Sequence, residues 1–307
     1  MTGLQNLLNM QITMLILLLT GFVLTKRSVM SSALRKALTD FIIAFIMPCN
    51  IIKSFLITLD RQILRDCAAI FLVSAGIQIL SISLGQLLFG KAEDGKRESL
   101  LYGTQVSNAG FLGNPIIEGL YGSQGLLYAS VYLIPLRVLM WSLGVACFSG
   151  QRGKGVVRKV LTHPCIVAVG IGLVLMLTQI PLPAWLRKPV EMVGNCNTAL
   201  SLLVIGGVLG ELNVSTLFSR QTVLYCIVRL LLIPLLVLGG CLAVHTEPLV
   251  TQVAVILSGM PTPLTTAMLA AQHGKDEPFA VSLVFLSTIG SMATIPMLCL
   301  LMTGILF

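Results

Sequence analysis

Ten long apolar stretches, separated by short polar connections, run through the chain. A helix needs about 20 mostly apolar residues to cross a bilayer, and the stretches do not alternate as barrel strands would. The pattern predicts an all-α polytopic membrane protein with ten transmembrane helices. Their expected bounds are Leu4–Thr25, Leu34–Leu59, Cys67–Phe89, Ser99–Tyr121, Leu126–Phe148, Pro164–Ile180, Met192–Leu209, Thr222–Val244, Leu249–Ala271 and Phe279–Thr303.

The composition leaves too few charges to cover a water-soluble surface. Of the 307 residues, 56% are hydrophobic and 10% are charged, against about 25% charged residues in an average soluble domain. This excludes a soluble enzyme, a disordered protein and a secreted disulfide scaffold. Eight cysteines are scattered without the spacing of a metal or redox motif, and we expect them to be small core side chains. We expect no catalytic residue, no metal and no cofactor.

Basic residues are distributed unevenly between the connections. The odd-numbered connections, counted together with Arg35 and Lys36 at the very start of the second stretch, hold thirteen lysines and arginines, and the even-numbered ones hold four. Because basic connections remain cytoplasmic, both termini of this multi-pass protein are expected to lie outside the cell membrane. The net charge of +8 therefore reflects membrane topology, and no nucleic-acid partner is expected.

The longest connection, Gly150–His163, divides the chain into two halves, residues 1–150 and 151–307. Each half contains five of the expected helices. Because five is an odd number, the second half is expected to be inverted relative to the first, an arrangement common in transporters.

The fourth and ninth stretches contain helix-breaking residues near their middles. The fourth contains Ser107-Asn108-Ala109-Gly110-Phe111-Leu112-Gly113-Asn114-Pro115, and the ninth contains Ser258-Gly259-Met260-Pro261-Thr262-Pro263. A proline inside a helix costs about 3 kcal/mol, and unwound backbone is tolerated inside a membrane only within protein or beside a cavity. A matched pair of interrupted helices therefore indicates a binding site.

Each break also contains the sequence signature of a helix start. Asn114-Pro115 and Thr262-Pro263 both pair a capping residue with a proline suited to the first helical position. We expect each pair to begin a new half-helix inside the membrane. The free N–H groups and the positive dipole end of such a half-helix favour an anion.

The run Ser107–Pro115 resembles the fourth helix of the auxin efflux carrier family, which includes plant auxin exporters and bacterial permeases for malonate, malate and similar acids. Ala199–Gly207 is similar to the seventh helix of that family. The resemblance implies two inverted five-helix repeats, a homodimer, a scaffold of helices 1, 2, 6 and 7, and a moving unit of helices 3–5 and 8–10. It also implies elevator-like alternating access, with the substrate held where helices 4 and 9 cross, at Pro115 and at Pro261 or Pro263.

The chain departs from the plant members of that family in two respects. Its central connection is short, and helix three offers Gln78 and Gln86 where the plant members have a carboxylate. This departure argues against a proton relay through helix three.

Three basic residues lie deeper inside apolar stretches than Arg35 and Lys36 do. Arg137 lies about halfway along the fifth stretch, where it could meet a substrate carboxylate or pair with Glu118. Lys53 and Arg229 lie closer to the ends of their stretches, so their side chains are expected to extend to the membrane surface. A polar cluster in helix seven is expected either to bridge helices or to line the outer access path: Asn195, Asn197 and Thr198.

These features predict a secondary transporter of small organic anions, such as auxin-like, malonate-like or malate-like carboxylates. The expected substrate-binding residues are Asn108, Gly113, Asn114, Pro115, Pro261, Thr262, Pro263 and Arg137. The two asparagines would donate hydrogen bonds to the carboxylate, and the arginine would supply the countercharge.

Three alternatives remain open at this stage. A sodium-coupled organic anion carrier of the bile-acid type needs carboxylates near the crossing, where Glu118 alone is close. A non-transporting receptor or assembly partner would not need paired helix breaks. A channel would need a ring of charges or a carbonyl filter, and the sequence contains no motif of either kind.

Overall fold

The computed structural model describes residues 2–56, 58, 60–140, 147–148, 162, 164–211 and 219–306. All regular structure in these residues is helical. The helices are α1 Thr2–Lys26, α2 Ser32–Phe55, α3 Arg61–Phe89, α4 Lys96–Gln105, α5 Asn114–Leu139, α6 Pro164–Thr178, α7 Ala184–Glu211, α8 Arg220–Ala243, α9 Pro248–Ser258, α10 Thr265–Gln272 and α11 Glu277–Leu306. Helix α5 is kinked at Gly122 (φ 63°, ψ −153°), so its two parts correspond to the end of the expected fourth helix and most of the expected fifth helix. The central connection lies outside the described residues, except for Thr162.

Several of these helices are suited to a bilayer. Within the described part of the chain, α2, α3, α8 and α11 are long and apolar enough to cross a membrane, and α6 and α9 are shorter apolar helices. Large apolar side chains of α3 remain on the outside of the fold, including Leu72, Ile79 and Leu87. Such side chains are stable against lipid and costly against water, so the helices fit a membrane-embedded protein.

In the part of the chain that the structure describes, three π-helical turns end two residues before a proline. They are Ile42–Ile46 before Pro48 in α2, Ala109–Gly113 before Pro115 at the start of α5, and Val228–Leu232 before Pro234 in α8. A proline has no N–H and its ring clashes with the carbonyl four residues earlier. Widening the preceding turn relieves that clash, so the sequence itself determines where these helices are distorted.

The described residues form two compact units. The first unit lies within 1–65, 114–130 and 161–212, and the second unit lies within 66–113, 131–160 and 213–307. The chain therefore passes from the second unit to the first between Gly113 and Asn114, and returns after Ser130.

Glycines allow close helix packing in the first unit. A Cβ atom on Gly206 of α7 would collide with the backbone of Leu18 in α1. A Cβ on Gly194 would lie 3.0 Å from the Cα of Asn50 in α2. Small residues at such positions let helix backbones approach one another, as is common in membrane proteins.

The interrupted segments lie deep in the second unit. Every residue of α9 from Val250 to Ser258 is buried, and so is every residue of α4 from Ser99 to Gln105. The backbone breaks that follow these two helices are therefore surrounded by protein, which is the condition for non-helical backbone at membrane depth.

Candidate functional site

The first break separates α4 from the turn that leads into α5. Val106 follows α4 with an extended backbone (φ −116°, ψ 125°), and helical hydrogen bonding resumes at Asn108. The backbone N–H groups of Leu112 and Gly113 both donate to the carbonyl of Asn108, at 3.0 and 3.1 Å. The new half-helix therefore begins at Asn108.

The prediction that Asn114 caps this half-helix was wrong. Gly113 is already helical (φ −70°, ψ −44°), so Asn114 and Pro115 lie inside a continuous helix. The proline widens the preceding turn instead of starting a new helix, because that turn can rearrange to accommodate the ring. The Asn114 side chain is only 1% exposed, and its amide has no hydrogen-bond partner among the described residues.

The second break, Gly259–Leu264, lies between α9 and α10. The prediction that Thr262 caps the following half-helix was also wrong, because α10 starts at Thr265 after a helical Leu264. The Thr262 N–H donates to Ser287 Oγ at 3.0 Å. A proline disfavours helical geometry in the residue before it, so Pro261 and Pro263 together keep this segment non-helical.

The two breaks meet within the second unit. The backbone N–H of Asn108 donates to the carbonyl of Pro261 at 2.8 Å, and Ser107 Oγ donates to the carbonyl of Leu257 at 3.1 Å. A Cβ on Gly113 would lie 3.2 Å from Cγ of Met260. Glycine at this position therefore permits the close crossing of the interrupted segments.

Arg137 lies beside the half-helix that begins at Asn108. Its side chain is buried, and its Nη2 atom is 3.4 Å from the position that a Cβ on Gly110 would take. Asn108 and Gly110 are themselves only partly buried. A guanidinium, an asparagine amide and the start of a helix therefore lie next to one another at the first break.

Other predicted site residues are buried within their own units. Pro261, Thr262 and Pro263 are buried in the second unit, and Asn114 and Pro115 are buried where the chain enters the first unit. These residues shape the breaks, whereas the partly exposed groups at the first break are better placed to contact a ligand.

The sequence offered Glu118 as one partner for Arg137. In the structure, Glu118 has a different basic partner, which lies in the first unit. Its carboxylate lies 2.5 Å from Lys53 Nζ, and Asn50 Nδ2 donates to it at 3.3 Å. Lys53 also donates to Asn195 Oδ1 at 2.8 Å. Lys53 was expected to extend to the membrane surface, and the structure shows it paired with an anionic side chain.

The residues of the polar cluster predicted in α7 therefore have different roles. Asn195 connects α7 to α2 through Lys53. Asn197 is fully buried, and its amide atoms have no partner among the described residues. The bridging interpretation holds for Asn195.

Arg229 is a site residue that sequence analysis missed. It was expected to extend to the membrane surface, but it is only 2% exposed. Its Nε donates to the carbonyl of Met260 and its Nη1 donates to the carbonyl of Thr104, both at 3.0 Å. These carbonyls lie where α4 and α9 end and lack helical partners, so Arg229 satisfies both broken helices. The need for such donors is the signal that could have identified it.

Tyr225, one turn before Arg229 on α8, was also missed. Its hydroxyl is 2.7 Å from Thr262 Oγ1, and its side chain is fully buried. A Cβ on Gly103 of α4 would lie 3.1 Å from Cζ of Tyr225 and 3.2 Å from Cγ2 of Thr262. Helix α8 therefore holds the second break through both a tyrosine and an arginine.

The arrangement at the first break suits an anion. The first N–H groups of a helix have no partners within it, and they carry the positive end of the helix dipole. The half-helix that follows Asn108 contributes such groups beside the Arg137 guanidinium. A carboxylate could accept hydrogen bonds there while its charge is neutralised.

The comparisons with known proteins indicate membrane transport. A family model described as membrane transport protein matches residues 8–158 and 153–299. The chain is 26% identical over 294 residues to an uncharacterized transporter of Methanothermobacter thermautotrophicus, covering 93% of this chain and 95% of that protein. It is 22% identical over 295 residues to an uncharacterized transporter of Methanocaldococcus jannaschii, covering 92% and 94% of the two chains.

The family match extends over nearly the whole chain, and the resemblance found in the fourth and seventh helices is thereby confirmed. The chain belongs to the membrane transport protein family, the family of the auxin efflux carriers.

Proposed function

We propose that this membrane transport protein is a secondary transporter of small organic anions, with auxin-like, malonate-like or malate-like carboxylates as substrates. The observation that carries the proposal is the crossing of two interrupted segments, joined by the hydrogen bond from the Asn108 N–H to the Pro261 carbonyl. Discontinuous helices that meet inside a membrane are the usual place for a transported substrate.

In this proposal the substrate carboxylate binds at the first break. Asn108 and the N–H groups after it donate hydrogen bonds, and Arg137 supplies the countercharge. Gly113, Pro261, Thr262 and Pro263 keep the two segments close enough to form the site. Asn114, whose amide has no partner among the described residues, and Pro115 shape the half-helix that follows.

We further propose elevator-like alternating access by two inverted five-helix repeats, residues 1–150 and 151–307. The first unit contains α1, α2, α6 and α7, the helices proposed as the scaffold. The second unit contains α3, α4 and α8–α11, which are proposed to move. Residues 114–130 cluster with the first unit, although the family resemblance assigns them to the moving part. By the same resemblance we propose a homodimer.

The proposed location is the cell membrane, with both termini outside. Support comes from an ion pair between two basic connections that the charge pattern assigns to the cytoplasmic side. Lys275, in the connection after α10, lies 2.7 Å from Glu98, at the start of α4.

The experiment that tests the function is thermal stabilisation of the purified protein by a panel of small monocarboxylates and dicarboxylates. A ligand at one hundred times its Kd stabilises a protein by about 2.7 kcal/mol, which is a readily measured shift of Tm. We expect at least one carboxylate to stabilise the protein, and Asn108→Asp to abolish that shift. The new carboxylate is nearly isosteric with the amide but repels an anion.

Gln124→Glu is the matched control. Gln124 is an exposed amide that donates to Tyr128, so the same change of charge there should leave the stabilisation intact. Arg137→Ala should weaken a dicarboxylate more than a monocarboxylate. Equal loss for both classes would contradict the role of Arg137, and no stabilisation by any carboxylate would contradict the proposed substrate class.

A further inference from the structure

The two interrupted segments bring the ends of two helices close together. The last four carbonyls of a helix have no partners within it, and the C-terminal end carries about half a negative charge. Helix α4 ends at Gln105 and α9 ends at Ser258, both inside the second unit. Two partial negative charges therefore lie at the same crossing, away from water.

One guanidinium joins these two helix ends. Arg229 donates to the carbonyl of Thr104 in the last turn of α4 and to the carbonyl of Met260 just after α9, each at 3.0 Å. No carboxylate of the described residues forms a salt bridge with Arg229. Its positive charge is therefore compensated by backbone carbonyls and helix dipoles.

Such carbonyls have a known use in transporters. Unwound backbone carbonyls and the C-terminal ends of half-helices coordinate Na⁺ where a transporter is driven by that ion. A guanidinium has five donors in a planar arrangement, so it can satisfy two carbonyls from separate segments. In this chain a side chain satisfies such carbonyls.

The arginine is held firmly in this position. It lies in the π-helical turn Val228–Leu232, and Tyr225 on the same helix is bonded to Thr262 in the second break. The guanidinium is part of a side chain, so it cannot dissociate from the protein. A cation that is never released cannot couple an ion gradient to transport.

We propose that Arg229 is a tethered cation that occupies the position of a coupling ion between the broken helices, so that substrate transport needs no Na⁺ at this position. This inference rests on the proposed function, because it concerns the same crossing. It assigns Arg229 a positioning role, since the arginine acts through the backbone of both breaks.

The first test measures Tm without substrate, in guanidinium, sodium or choline chloride at equal millimolar concentration. The parent protein should melt at the same temperature in all three salts. Arg229→Ala should lower Tm by about 5 °C or more, because two buried carbonyls lose their donors. Guanidinium, which can enter the vacated site, should restore at least half of that loss, and choline should restore none.

Arg220→Ala is the matched control, because Arg220 is exposed on the same helix. This variant should respond equally to all three salts. A stabilisation of the parent by sodium alone, or equal recovery of Arg229→Ala in guanidinium and choline, would overturn the tethered cation.

A second pair of variants keeps the test decisive if Arg229→Ala does not fold. Arg229→Lys keeps the charge with a different donor geometry, and Arg229→Gln keeps amide donors without the charge. The lysine variant should have a higher Tm than the glutamine variant. If the glutamine variant has the higher Tm of the two, hydrogen bonding alone matters and the proposal is overturned.

Uptake into proteoliposomes then separates this inference from the proposed function. We expect carboxylate uptake by the parent to be equal in sodium and in choline. Uptake that requires sodium would overturn the tethered cation and leave anion transport standing. If no carboxylate is taken up but guanidinium still restores Arg229→Ala, the proposed function fails and the tethered cation stands.

Discussion

Lys53 and Glu118 form an ion pair inside the first unit, with side chains only 15% and 19% exposed. Removing one partner of a buried pair leaves the other charge without compensation, at a cost of about 3 kcal/mol or more. We therefore expect Lys53→Met and Glu118→Met each to lower the free energy of unfolding by about that amount. The measurement is thermal or chemical unfolding of the purified protein.

The double variant Lys53→Met/Glu118→Met should recover most of this loss, because neither charge remains buried. Arg187→Ala is the control, since Arg187 forms a 2.7 Å ion pair with Glu191 that is exposed. An exposed pair contributes less than about 1 kcal/mol. Single variants at Lys53 and Glu118 that are as mild as this control would show that the pair is well solvated.

At the residue scale, the sequence predicted the breaks better than the groups that satisfy them. Glycine and proline act on their own backbone, so Gly113 and Pro261 could be singled out from local sequence, together with the nearby Asn108. Tyr225 contacts a side chain, and Arg229 a backbone carbonyl, more than 30 residues away. Their roles depend on how α8 packs against the breaks, and no local pattern records that packing.

At the scale of elements, Glu98 and Lys275 tie the first turn of α4 to the connection after α10. Burial raises the pKa of the Glu98 carboxyl. The hydrogen bonds from Lys275 and from the Gly95 N–H, together with the charge of Lys275, lower this pKa by more than burial raises it, so it lies below its ordinary value. The unfolded chain then binds a proton more readily than the folded protein does.

Stability from this group is therefore fully present above the unfolded pKa of about 4.3 and is lost as pH falls through the lower folded pKa. We expect Tm to fall on acidification below about pH 5, and Glu98→Gln to reduce that dependence. Glu277→Gln is the control, because Glu277 is an exposed carboxylate in the same part of the second unit. An unchanged pH profile for Glu98→Gln would contradict the assignment.

Helix positions were predicted closely where apolar residues extend to the helix end. Helices α3 and α7 begin at Arg61 and Ala184, earlier than the expected Cys67 and Met192. Their first turns contain charged residues, which hydropathy assigns to connections. Such side chains can extend to the membrane surface from a helical backbone, so the helix starts before its apolar stretch does.

At the scale of the whole molecule, the ion pair between Glu98 and Lys275 adds a constraint on membrane topology. The charge pattern assigns the connections before α4 and after α10 to the cytoplasmic side. A direct contact of 2.7 Å requires that both lie on the same side. The connection between α8 and α9 holds no lysine or arginine, and it should lie on the opposite side.

We expect an impermeant maleimide to distinguish these two sides in intact cells that express a chain without native cysteines. Val244→Cys, in the connection after α8, should be labelled directly, because this connection is expected outside. Lys91→Cys, in the connection before α4, should be labelled only after the membrane is permeabilised. The cysteine-free chain is the control for background labelling. The reverse labelling pattern would place both termini inside. Equal labelling at both positions would mean that the two connections lie on one side of the membrane, which would contradict the membrane crossings assigned between α4 and α8.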